Sequence, residues 1–213
     1  MSIIVLPANA TSFPPVAYAD SDGLLAMGGT ITTQLIKAAY KKGIFPWYEG
    51  SYPLWWSPNP RFVLYPNKLK ISKSMHQLFN RKAFTVRYNT NFEAIIHYCK
   101  NKERTGQSGT WITDAIEETY TNLFYEGVVL CASSYDAQGR LAGGLYGVKT
   151  GNVFSGESMF TLQPNASKYA FISMVQYLIQ IGITIIDCQT HTEHLESLGA
   201  QYLNRDEFLK YLP

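Results

Sequence analysis

Three polar residues stand in apolar surroundings in the second half of the chain: Glu157 in VFSGESMFTL, and Asp187 with Gln189 in ITIIDCQ. A solvated glutamate ordinarily has polar neighbours on an alternating strand or a helix face, whereas Glu157 lies between Phe154 and Phe160. Two readings fit the local sequence: a strand-end acid that caps a turn or pairs with a lysine such as Lys168, or a carboxylate held at a working site. Asp187 and Gln189 are two residues apart and therefore share a strand face. A buried aspartate is too costly to leave unbonded, and a glutamine amide two residues on is a donor, so this pair also reads as a satisfied polar closure of a strand. If the two strands are neighbours, all three groups converge at one rim, and that convergence favours chemistry.

Two other constellations carry less. HTEH places His191 and His194 three apart, a spacing that binds metal, but further ligands at convincing spacing are missing, so no metal is expected. Ser158 in GESMF lacks the glycine that a G-x-S-x-G nucleophile elbow needs after its serine. Cys99, Cys131 and Cys188 stand far apart with no C-x-x-C pair, which fits a reducing compartment and disfavours a disulfide framework or zinc ribbon. The opening MSIIVLPANATSFPP has no basic region and reaches Pro7 too soon for a signal peptide or membrane span, so a cytoplasmic, non-membrane protein is expected.

These groups need a scaffold, and 213 residues with 46% hydrophobic content allow one large domain, or a main domain with a smaller partner. A net charge of +2 implies no global attraction to nucleic acid, so any basic patch must be local. Residues 1–62 are broken by FPP, DSDG, FPW and SPNPR around one helix, TTQLIKAAYKKG, and read as a small loop-rich domain. From 63 to 213 the pattern is regular. Helices are predicted at SKSMHQLFN, FEAIIHYCK and ITDAIEETYTNLFYEG, with a strand at FTVRYN and a loop at NKERTGQSGT. A meander of VVLCASSYD, GRLAGGLYGVKTG and NVFSGESMF follows, with Glu157 near the end of its third strand. The long helix NASKYAFISMVQYLIQIG, the strand ITIIDCQ and the short helix HTEHLESLG complete an α+β sheet with packed helices. Aromatics make 14% of the chain, several in Pro/Gly-rich loops, where rings either stack on a ligand or plug a domain seam.

The order of elements resembles the acetyltransferase (GNAT-type) fold. Acyl-CoA enzymes of that kind hold the pyrophosphate on a glycine-rich loop before a helix, and TLQPNASK before the long helix has no glycine. The donor is therefore not expected to be CoA. The stretches GLLAMGGTI, AAYKKGIFPW, PLWWSPNPR, GTWIT, LAGGLYGV, FSGESMF, NASKYA, IDCQ and HLESLGA, taken in this order, resemble the bacterial leucyl/phenylalanyl-tRNA-protein transferases through nearly the whole chain.

That resemblance implies an enzyme, monomeric and without cofactor, that moves leucine or phenylalanine, with methionine as a third donor, from aminoacyl-tRNA to proteins beginning with arginine or lysine. Its products pass to the adaptor and protease of the N-end rule route. It further implies that Gln189 orients the attacking amine, that Asp187 holds the Gln189 amide or acts as base, and that Glu157 holds the cationic N-terminus. The matching donor-pocket positions are Leu145, Phe154, Phe171, Met174 and Leu178, of which the last three form a helical stripe that would ordinarily be core. The terminal adenosine would stack on Tyr40, Trp47 and Trp111, and the phosphates would meet Lys73, Arg81 and Lys82. Two rivals are an acyl-CoA-dependent N-acetyltransferase and a non-catalytic module that binds basic N-termini through Glu157 and Asp187.

Overall fold

A computed structural model describes residues 3–48, 50–102 and 110–213 and shows two sheets. The loop expected at NKERTGQSGT falls largely outside the described residues. In the N-terminal segment β1 (Ile4–Leu6), β2 (Leu24–Gly28), α1 (Thr33–Tyr40), β3 (Phe45–Pro46) and β4 (Leu54–Trp56) give a sheet in the order β1-β2-β4-β3. The Thr32 hydroxyl accepts the Leu35 amide and starts α1, and Gly43 at φ +69° turns the chain after it.

The larger sheet begins with β5 (Arg61–Leu64), followed by α2 (Lys73–Asn80), β6 (Thr85–Tyr88), α3 (Phe92–Lys100) and α4 (Asp114–Tyr125). The meander is β7 (Val129–Tyr135), β8 (Leu141–Thr150) and β9 (Val153–Thr161). After it come α5 (Ala166–Gln180), β10 (Ile185–Gln189), α6 (Glu193–Ser197), β11 (Gln201–Leu203) and α7 (Arg205–Leu209). The strand order is β11-β5-β10-β9-β8-β7-β6, and β9 with β10 is its one parallel pair. A parallel pair needs a crossover, and α5 supplies it.

Side-chain alternation divides the strands between two cores. One face gives Val129, Cys131, Tyr146, Val148 and Phe160 to a core shared with α1, α3, α4 and the N-terminal sheet. The other gives Leu130, Leu145, Phe154 and Ile186 to α5, which answers with Ala170, Phe171, Met174, Val175 and Leu178. Covered on both faces, β7 is buried at every residue, which is why its sequence shows no polar alternation.

One ion pair crosses these layers. Arg61, 1% exposed, donates from Nε to Asp187 Oδ1 and from Nη2 to Asp187 Oδ2, both at 2.7 Å, and from Nη1 to the Gly43 carbonyl at 3.0 Å. Its guanidinium carbon also lies 4.8 Å from the ring centre of Phe45 and 4.9 Å from that of Phe208. The N-terminal sheet, β10 and the C-terminal α7 thus meet at one cation. Removing one partner leaves the other charge buried and uncompensated. Asp187→Asn is therefore expected to destabilise the fold by about 3 to 5 kcal/mol, measured by urea unfolding; a loss below about 1 kcal/mol would show that the pair does not clasp the layers.

Candidate active site

Backbone pairing of β10 with β9 sets Ile185, Ile186 and Asp187 against Val153, Phe154 and Ser155. Side chains continue it. Ser155 Oγ donates to Asp187 Oδ2 at 3.1 Å, and one step on Gln189 Nε2 donates to Glu157 Oε1 at 2.9 Å. Both members of the outer pair sit at irregularities. Against β8, Tyr146 faces Ser158 and Gly147 faces Gly156, so Glu157 is the extra residue of a bulge in the middle of β9, not near its end as the sequence suggested. A Cβ on Gly147 would come 2.2 Å from the Ser155 carbonyl oxygen, so only glycine permits this approach. On β10 the register against β5 shifts between Asp187 and Gln189, and Gln189 takes φ +65°. Bulges re-aim side chains beside active sites, and here two of them turn an acid and an amide toward each other.

Asp187 fixes that unusual backbone. Its Oδ1 accepts the Gln189 backbone N–H at 2.9 Å, not the side-chain amide that the sequence assigned to it. With Arg61, Ser155 and this amide as donors and 1% of its side chain exposed, the carboxylate is saturated. A group so placed positions Gln189 and is badly situated to take a proton from a substrate.

Glu157 is different. It is half-buried and reaches open space in two cavities. Its pKa is pushed up to about 8, first by desolvation and also by the Asp187 charge, against the lowering contacts of Tyr40, Gln189 and Arg61. The Tyr120 hydroxyl donates to Glu157 Oε2 at 3.5 Å and lies 2.8 Å from the Tyr40 hydroxyl. Burial, and then the charge of Glu157, hold both phenols well above their ordinary value.

Two cavities of about 320 and 330 Å³ meet at this pair. Both are lined by Glu157, Ser158, Met159, Gln189, Thr190 and Thr192, which form the seam between them. The first extends into an apolar chamber walled by Leu145, Phe171, Ile186 and Leu195, with His194 at its side. The second is walled by Phe45, Pro46, Trp47 and Trp111, with Lys102.

The predicted pocket residues divide. Leu145 and Phe171 line the apolar chamber, whereas Phe154, Met174 and Leu178 are fully buried in the core behind it. Trp47 is 43% exposed and lines the second cavity with Trp111. Tyr40 lines neither cavity: it is 2% exposed, and its position beside Tyr120 and Glu157 leaves no face for a base. Lys73, Arg81 and Lys82 are exposed at the two ends of α2, which packs through Met75 and Leu78 on α5, and they line neither cavity. His191 pairs with Glu196 and packs on Phe62 and Tyr202, while His194 faces the chamber. Among the described residues no three His, Cys, Asp or Glu side chains group as metal ligands, and no helix is long and apolar enough to cross a membrane. Sequence reasoning missed Arg61, Ser155 and Tyr120, because nothing local to WWSPNPR or to the α4 stripe marks a contact with β9 or β10.

Comparison with known proteins identifies the family. The family described as "Leucyl/phenylalanyl-tRNA protein transferase" matches residues 63–213, and its N-terminal domain matches residues 29–59. The chain is 51% identical over 203 residues to a leucyl/phenylalanyl-tRNA–protein transferase of Christiangramia forsetii, covering 94% of this chain and 95% of that protein. It is 46% identical over 201 residues to the protein of that name from Flavobacterium johnsoniae, covering 94% of each. Among solved structures, a GCN5-related N-acetyltransferase from Kribbella flavida aligns with 76% of this chain and 58% of its own at 11% identity and a TM-score of 0.41, a likeness too distant to bear on activity. The chain belongs to the leucyl/phenylalanyl-tRNA protein transferase family and is an aminoacyltransferase.

Proposed function

We propose that this enzyme transfers leucine or phenylalanine from aminoacyl-tRNA to the α-amino group of proteins beginning with arginine or lysine, at the seam between its two cavities. The observation that carries the reading is that one acid–amide pair, Glu157 and Gln189, lines both chambers. A donor with its side chain in the apolar chamber and its adenosine against Trp47 and Trp111 has its ester carbonyl between them, beside that pair. In the cell the modified proteins would go to an N-end rule adaptor and protease in the cytoplasm.

The ester is already activated, so the reaction needs an oriented amine and an acceptor for its proton. As nitrogen attacks the carbonyl carbon, the C–N bond forms, the ester C–O bond breaks, and the proton shed by nitrogen must reach the departing 3′ oxygen. An α-ammonium has a pKa of about 8, and Glu157 is raised to about 8 as well, so the proton passes between them at little cost. Glu157 thereby receives the cationic N-terminus and relays its proton. Gln189 holds the geometry, and Asp187 holds Gln189.

Three measurements test this. In transfer of radiolabelled leucine from charged tRNA to a peptide beginning with arginine, Gln189→Ala is expected to lower kcat/KM by about 100-fold while tRNA binding survives; undiminished transfer would remove Gln189 from the site. For Glu157, the folded protein binds more protons than the unfolded chain between its ordinary carboxylate value and about 8. Its contribution to stability is therefore present at low pH and is lost as pH rises through that window. Glu157→Gln is expected to flatten this decline in thermal unfolding and to lower kcat/KM by about 100-fold across the pH range, leaving only the titration of the amine itself; undiminished transfer by the variant would exclude Glu157 as proton acceptor. Phe171→Ala is expected to reduce kcat/KM for leucyl-tRNA by about 10- to 100-fold with acceptor KM unchanged, and an equal effect on both substrates would show that the first cavity is not the donor chamber.

A further inference from the structure

One polar side chain of the apolar chamber has no part in the steps above. His194, in α6 next to the wall residue Leu195, is half-buried and lines the chamber together with Glu157 and Gln189. Among the described residues no hydrogen bond or ion pair engages its ring, whereas His191 is held by Glu196. Several other polar groups around the chamber are already engaged. Asp187 is saturated by Arg61, Ser155 and the Gln189 backbone, Gln189 donates to Glu157, and Thr192 Oγ1 accepts the Leu195 N–H at 3.2 Å. Burial, and then the charges of Lys168 in α5 and Lys102 after α3, hold the His194 imidazole below its ordinary value. At neutral pH the ring is therefore uncharged, with one nitrogen free to accept a hydrogen bond.

A donor with its side chain in this chamber and its ester carbonyl at the seam has one group left to place. Its α-carbon also bears an amine, to which the walls at Leu145, Phe171 and Ile186 offer no acceptor. An N–H taken from water into an apolar cavity and left unbonded is costly. We propose that the His194 ring accepts a hydrogen bond from the α-amino group of the donor amino acid and so makes a free amine a condition of transfer. This assignment rests on the donor chamber proposed above. N-acylated esters, whose nitrogen is a planar amide carrying a further substituent, are then refused. The restriction has a chemical consequence: the donor's amine becomes the new N-terminus of the product, so reading it before transfer ensures that the product ends in a free amine.

Two unreactive probes isolate this contact in the intact protein: adenosine carrying a 3′-linked leucylamide, and adenosine carrying the isocaproyl amide, which has the same side chain and carbonyl but no amine. Binding is followed by calorimetry near neutral pH. The wild-type protein is expected to bind the leucyl probe about tenfold tighter than the isocaproyl probe. His194→Phe should erase that gain and leave the isocaproyl probe unaffected, whereas His194→Gln, which keeps an acceptor, should retain part of it. The proposal is overturned if the wild type binds both probes equally, if the gain survives in His194→Phe, or if that variant weakens both probes alike, as loss of a mere wall residue would. Equal binding of the two probes would leave the donor chamber standing; binding of neither by the wild type would overturn the chamber and this inference with it.

Discussion

A guanidinium almost without contact with water must have its charge neutralised and its donors occupied, and the arrangement around the reaction centre follows from how Arg61 meets that demand. Its two-pronged bond to Asp187 fixes the last residues of β10, its third bond reaches the turn after α1, and its faces rest on rings from β3 and α7. Asp187, spent in this way on Arg61 and Ser155, has one oxygen lone pair to offer the next peptide, and it accepts the Gln189 amide. The left-handed backbone at Gln189 is thus maintained by a chain of charge that begins in the N-terminal part of the sheet. A buried pair of this kind contributes little net stability over an apolar substitute. Its value here is geometric.

Division of labour between the two acids follows from their surroundings. Asp187 is surrounded by donors and stays where it is. Glu157, displaced by a bulge into a half-buried place at the seam of the two cavities, has its proton affinity brought close to that of an amine. The two tyrosines complete this environment from elements distant in sequence, Tyr40 from α1 and Tyr120 from α4. Three layers of the fold therefore contribute to one proton equilibrium.

Much of the scaffold was legible because its signals are local. Thr32, Ser72 and Thr113 cap the helices that their sequences announce, and the meander lies where its turns place it. Glu157, Asp187 and Gln189 stood out because a polar residue in an apolar run must have a partner. The partner itself was not legible. Arg61 lies 126 residues from Asp187, and no periodicity reports a contact across that separation. The resemblance sets Tyr40 against a base, yet burial decides whether a ring is available, and burial depends on how α1 meets α4. Likewise the stripe of Phe171, Met174 and Leu178 has the spacing of a helix face, but only its first member reaches the chamber wall.

Beyond the shared seam, the apolar chamber and the cavity walled by Trp47 and Trp111 have different walls. A change to the wall at Leu145 or Phe171 alters the size and shape of the apolar chamber without touching the tryptophans. Under the proposed assignment of the two cavities, selectivity for cargo and recognition of the carrier can therefore drift or be redesigned independently, which makes this scaffold a natural starting point for placing unfamiliar residues on proteins.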